Sequence, residues 1–354
     1  MSVRFVIIGG GPGGNAAATH AARLGADVTV IESDIVGGAA HLWDCIPSKA
    51  MIATGGAMAL TRRAQGMGLA RLDAELDFEA LRSRINGIED RLNAATTTLL
   101  ESQGVRIVRG TGRVIGAHRV EAELEDGTTE SFDADAILVA TGSRPRLPDF
   151  AQPDGVRILT TRQAYPPPEL PRHLVVIGSG VTGVEFVHMF RNFGSEVTLI
   201  VSRQQVLPGK DPEVAAALEE DFLASGVRLF KGARAQDIDV DGDTVKVRCD
   251  DGRVAEGSHA LLAIGSIPNS DGLGLEEIGV EMNGGYVTVN HHLQSSVPHI
   301  YAAGDLSGKL PLSSVASMQG RKLAEHVMGL HTREHRHLDY DKAASAIFTE
   351  PEIA

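Results

Sequence analysis

The chain has 354 residues, enough for about two domains that each bury a core, so its stability requires neither a structural metal nor disulfides. With 33 Lys and Arg against 46 Asp and Glu the formal net charge is −13, which removes any general electrostatic reason to coat nucleic acid or an anionic bilayer. A composition of 43% hydrophobic and 22% charged residues excludes disordered and fibrous classes, and 40 glycines point to many tight turns and close backbone approaches.

In chain order, residues 3–5 run directly into the apolar strand Val6-Ile7-Ile8, with no basic-then-apolar leader, and no later stretch reaches the ~18 uncharged apolar residues of a membrane span. A cytoplasmic protein without membrane insertion is expected. The strand meets Gly9-Gly10-Gly11-Pro12-Gly13-Gly14, a helical run ending near Gly25, and a second strand at Asp27–Glu32. A helical stretch over 46–68, a long amphipathic helix at Phe78–Ser102, hairpins turning at Asp126-Gly127 and a strand over 136–140 follow. After the Pro-rich stretch 165–171, read as a linker, the opening pattern recurs: Val175-Val176-Ile177, the turn Gly178-Ser179-Gly180-Val181-Thr182-Gly183, a helix ending near Gly194, and the strand Glu196–Val201. A helix over 211–225, turns at Asp241-Gly242 and Asp251-Gly252, strands over 259–264, 286–289 and 300–303, and a helix over 312–329 complete the order. The reading is α/β, with two Rossmann-like nucleotide-binding domains, one inserted in the other.

Each G-x-G-x-x-G turn between strand and helix brings bare backbone N–H groups and a helix dipole against a pyrophosphate, and side chains at Gly9, Gly11 and Gly14 would block that approach. Glu32, followed by Ser33, stands 23 residues beyond Gly9, close to the ~20 at which a carboxylate accepts hydrogen bonds from ribose hydroxyls. In the second copy, with Gly178, Gly180 and Gly183, the equivalent position is Val201, and Ser202 and Arg203 follow. The missing acid and the nearby cation permit a 2′-phosphate, so NADPH fits and NADH stays open. His331, His335 and His337, with His291 and His292, lack the spacing of a ligand set, and no metal site is expected.

The segment Gly37-Gly38-Ala39-Ala40-His41-Leu42-Trp43-Asp44-Cys45-Ile46-Pro47-Ser48-Lys49 resembles the redox-centre segment of the pyridine-nucleotide disulfide oxidoreductases, the family of dihydrolipoamide dehydrogenase and glutathione reductase. Ala140-Thr141-Gly142, Gly183-Val184-Glu185, Gly265-Ser266-Ile267-Pro268-Asn269 and Ala302-Ala303-Gly304-Asp305 match further family motifs in order. The resemblance implies a glutathione-reductase-like fold, with FAD at the first turn, NADPH or NADH at the second, and Asp305 bonding the ribityl and pyrophosphate region. It also implies cofactor contacts at Gly38, Ala39, Ala140, Thr141, Gly142, Gly304 and Gly265. Lys49 and Glu185 correspond to a catalytic pair beside flavin N5, the cation favouring the reduced flavin.

One departure decides the expected chemistry. Dithiol members carry G-G-x-C-x-x-x-x-C, and here Ala40 replaces the first cysteine while Cys45 keeps the second. A disulfide needs two sulfurs about 2 Å apart. Cys249 lies in a charged hairpin and is not expected to replace the missing thiol; Cys45 is read either as a small buried residue or as a thiolate against the flavin. The chain therefore resembles the quinone-reducing branch that lacks the redox disulfide. It is expected to pass hydride from NAD(P)H to FAD and two electrons to a quinone or dye. A soluble transhydrogenase and a non-catalytic flavin-binding scaffold are the alternative readings.

The expected division is an FAD-binding domain over 1–150, an inserted NAD(P)H-binding domain over 151–285, the rest of the FAD domain over 286–345, and the start of an interface domain over 346–354. The family's dimerisation domain is absent from these residues, so the chain is expected to be part of a longer homodimeric protein.

Overall fold

The computed structural model describes residues 2–42, 44–70, 74–330 and 338–354; Trp43, His331, His335 and His337 lie outside them. Two compact units emerge, Met1–Cys45 with Glu89–Arg144 and Ile267–Ala343, and Ile46–Ile88 with Pro145–Ser266 and Ala344–Ala354. Compactness groups Ile46–Ile88 with the second unit, because Met51, Leu81 and Ile85 are buried in one cluster with Phe186, Phe190 and Leu199. Periodicity places the two helices of this segment but carries no information about which sheet they cover.

The first unit is built on a seven-stranded sheet in the order Ile300–Ala302, Ala136–Val139, Arg4–Ile8, Asp27–Glu32, Arg106–Gly116, Arg119–Leu124, Thr129–Asp133. The first five strands pair in parallel and the last two fold back as an antiparallel meander. The central strands are buried on both faces, as their unbroken apolar runs require: Phe5, Ile7, Val30 and Leu138 face one cluster, and Val6, Ile8, Ile31 and Ile137 the other. The helix Pro12–Arg23 lies along Ser313–Val327, and the approach is close enough that a Cβ on Gly320 would stand 2.1 Å from the Gly13 carbonyl oxygen.

The second unit has a five-stranded parallel sheet in the order Arg228–Lys231, Glu196–Val201, His173–Ile177, His259–Leu262, Ile158–Thr160, with a three-stranded antiparallel sheet over Ala235–Asp241, Thr244–Cys249 and Val254–Gly257. Ile158–Thr160 precedes the Pro-rich stretch, so that stretch lies inside this unit and is not a linker before it. Among the described residues, Tyr286–Val287 pairs only with Met282–Asn283, as a small hairpin in the first unit. Among the described residues, no helix is long and apolar enough to cross a membrane.

Candidate functional site

In the first unit, Gly9 follows its strand at φ 104°, where a Cβ would meet the Ala140 carbonyl oxygen at 2.4 Å. A Cβ on Gly14 would lie 1.9 Å from the Gly9 oxygen, so strand and helix can close this tightly only over glycine. Around a Cβ on Gly11 there is nothing within 4 Å, and the helix Pro12–Arg23 begins there with no side-chain cap. Open space against uncapped N–H groups is the shape and polarity that a pyrophosphate takes. Gly38, at φ 59°, comes so near that its Cβ would stand 2.9 Å from Gly11 Cα; Ala39 opens the short helix Ala39–Leu42 that follows.

Glu32 is buried, and its carboxylate accepts the Gly10 N–H at 2.6 Å and the Asp34 N–H at 2.8 Å. Burial pushes its pKa up, while those two N–H bonds pull it down. Each oxygen retains a second lone pair for a ribose hydroxyl. Ser33 is exposed beside it.

The backbone of Ala140 and Thr141 lies against Gly9, and Gly142 follows. Thr141 Oγ1 donates to the Asn269 carbonyl at 2.7 Å, Asn269 Nδ2 returns a bond to the Thr141 carbonyl at 2.9 Å, and Gly142 turns at φ 69°. Asp305, in the turn Gly304–Ser307, accepts from Ser143 Oγ at 2.6 Å. Gly304 N–H donates to Oε1 of Gln319 at 2.7 Å, and Gln319, wholly buried, donates in turn to the Tyr340 hydroxyl at 3.0 Å. Sequence reasoning missed Gln319: a glutamine inside an amphipathic helix carries no local signal of that bond.

The second unit repeats the turn. Gly178 has φ 112°, Gly183 would place a Cβ 1.9 Å from the Gly178 oxygen, and Gly180 again faces open space at a helix without a side-chain cap. Val201 is buried at the end of its strand, with Ser202 and Arg203 exposed beyond it. Arg203 lines an open hollow with Gln204, Gln205, Pro208 and Gly209. Gly265, at φ 97°, also has open space around it.

Lys49 and Glu185 meet, and both belong to the second unit. Lys49 Nζ lies 3.1 and 3.0 Å from the two oxygens of Glu185, whose side chain is 6% exposed against 38% for the lysine. The Phe348 N–H donates to Glu185 Oε1 at 3.0 Å, and the lysine ammonium stands 4.8 Å above the Phe348 ring. Phe348 was not singled out from the sequence. The carboxylate therefore aims the ammonium, while the lysine stays open on one side.

Of the two cysteines, Cys45 is half-buried next to this helix in sequence, and Cys249 is buried in the antiparallel sheet, where burial raises its thiol pKa. No group of three or more metal-ligating side chains gathers among the described residues.

Two glycine turns, each followed by an open helix N-terminus, with an acidic residue after the first and a half-buried ion pair near the second, define an oxidoreductase built to handle two nucleotides. The profile of the pyridine nucleotide-disulphide oxidoreductases matches residues 3–320, and the chain belongs to that family, using FAD and NAD(P)H. It is 45% identical to an NAD(P)H dehydrogenase (quinone) of Mycobacterium tuberculosis, over all of this chain and 74% of that protein. It is 32% identical to a dihydrolipoyl dehydrogenase of Zymomonas mobilis, over 99% of this chain and 76% of that one. The crystal structure of LpdA from Mycobacterium tuberculosis superposes with a TM-score of 0.93 at 44% identity, covering 99% of this chain and 77% of that one.

Proposed function

We propose that the chain passes reducing equivalents from NAD(P)H through FAD to a quinone-type acceptor without a dithiol relay. The observation that carries this reading is Ala40, five residues before Cys45, in a segment that otherwise keeps the family pattern through to Lys49. The 45% identity to a protein named NAD(P)H dehydrogenase (quinone) supports the same acceptor class. When bound, FAD accepts hydride from NAD(P)H and delivers two electrons to the acceptor.

The chain's own residues bind and orient. Gly9, Gly11, Gly14, Gly38, Ala39, Glu32, Ser33, Ala140, Thr141, Gly142, Gly304 and Asp305 hold FAD; Gly178, Gly180, Gly183, Ser202, Arg203 and Gly265 hold the coenzyme. Lys49, aimed by Glu185, supplies fixed positive charge where negative charge develops. The protein is proposed to be a cytoplasmic homodimer.

A steady-state panel of menadione, lipoamide and thio-NAD+ tests this. Menadione should turn over at least about a hundredfold faster than lipoamide, a difference of about 2.7 kcal/mol in the barrier. Lipoamide at the menadione rate overturns the proposal, and thio-NAD+ as the fastest acceptor replaces it with a transhydrogenase.

For the coenzyme, Arg203→Ala should raise the KM for NADPH about fivefold, close to 1 kcal/mol, and leave NADH within about twofold, since only the 2′-phosphate meets the guanidinium. Equal changes for both coenzymes would remove Arg203 from the phosphate contact.

A further inference from the structure

The loop that leaves Val201 has no regular structure, yet it is held at three points. Gly232 N–H donates to the Arg203 carbonyl at 3.0 Å, and Leu207 N–H donates to the Ser179 carbonyl at 2.8 Å, tying the loop to the glycine turn. Between them, Val206 N–H donates to Oε1 of Glu219 at 2.9 Å.

Glu219 is a buried carboxylate on the helix Pro212–Ala224. Its second oxygen, Oε2, accepts from Lys231 Nζ at 2.6 Å. Lys231 ends the strand Arg228–Lys231, and its partner in register on the neighbouring strand is Val201. The lysine is 40% exposed, so this ammonium is tethered on one side by Glu219 and open to solvent on the other. Lys231 and Arg203 thus stand at the same sheet end, linked through Gly232, which follows Lys231 and donates its N–H to the Arg203 carbonyl.

We infer that Lys231 is a second cation for the coenzyme 2′-phosphate and that Glu219 is its positioning residue, competing with the phosphate for the ammonium and thereby setting how strongly the site prefers NADPH over NADH. This rests on the second glycine turn being the coenzyme site. The carboxylate has two separable tasks. Its bond to Val206 N–H holds the loop and is indifferent to coenzyme; its charge offsets Lys231 and tells only where a 2′-phosphate is present.

Glu219→Gln separates them, because the amide oxygen still accepts the Val206 N–H while the charge is removed. Lys231→Met removes the cation at a half-exposed position. Calorimetric titration of the FAD-loaded protein with 2′,5′-ADP, and with ADP as the control that lacks the 2′-phosphate, reads the effect without turnover. Glu219→Gln should tighten 2′,5′-ADP about threefold and Lys231→Met should weaken it at least about fivefold, with ADP changed less than about twofold in both. The opposite signs are the signature, since a purely structural pair would shift both ligands the same way in both variants. Parallel shifts of 2′,5′-ADP and ADP, or the same sign for the two variants, overturn the inference. Failure of the wild-type protein to bind either ligand would instead overturn the assignment of this turn to the coenzyme.

Discussion

Replacing Lys49 by Met should slow the reduction of bound FAD by NADPH about a hundredfold while FAD content stays at the wild-type level. Methionine keeps most of the length and removes the charge. Two costs add. The positive charge proposed to stabilise the hydride-transfer step is lost, and Glu185, nearly sealed from water, keeps only the Phe348 N–H as its partner among the described residues. A buried carboxylate that has lost its cation is left poorly compensated, which disturbs the site further. Stopped-flow absorbance after anaerobic mixing isolates this step from acceptor turnover. Lys49→Arg, which restores a cation of different shape, should recover part of the rate. An unchanged rate in Lys49→Met would reduce the pair to a structural tie between the helices Ile46–Arg63 and Val181–Phe193.

The second large effect concerns the first glycine turn, where two substitutions of the same size should fail for different reasons. In Gly14→Ala the new methyl lies 1.9 Å from the Gly9 oxygen and 3.2 Å from the Ile7 side chain, so strand and helix must separate. The variant should lose about 3 kcal/mol of stability, at the upper end for overpacking, and retain under about a tenth of its FAD. In Gly11→Ala the methyl meets no protein atom within 4 Å, and the backbone at φ −71° suits alanine. Its apoprotein should unfold within about 0.5 kcal/mol of wild type, yet bind FAD at least about tenfold more weakly, because the methyl fills the space left for the pyrophosphate. Denaturant unfolding of the apoproteins with FAD titration of each separates the two. Equal FAD affinity in Gly11→Ala and wild type would mean that the cradle faces something other than the cofactor.

How much of this could be read from the chain alone follows the range of each interaction. The glycine turns were legible because strand, turn, helix and following acid lie within about 25 consecutive residues and each obeys a local rule. Lys49 and Glu185 are 136 positions apart; no periodicity connects them, and only the family resemblance paired them. Gln319 beneath Gly304, Phe348 against Glu185 and Glu219 beneath Val206 escaped notice for the same reason. Each is a single long-range bond to a backbone N–H, invisible to composition and pattern. Ile158–Thr160 is three residues long, too short for an alternation to register, although it completes the edge of the second sheet. The helix Phe78–Ser102 was placed correctly from its pattern, but the burial of Leu81 and Ile85 with Phe186 and Phe190 depends on chain paths that the pattern does not encode.

The absence of a dithiol relay is the claim on which the function turns, and counting electrons tests it most directly. Anaerobic titration with dithionite should bleach the flavin completely at one two-electron equivalent per FAD, because position 40 is alanine where the dithiol pattern has its first cysteine, so the disulfide that would accept a second electron pair in this segment is not formed. Consumption of two such equivalents per FAD before full bleaching would reveal a second two-electron centre, and would contradict the account.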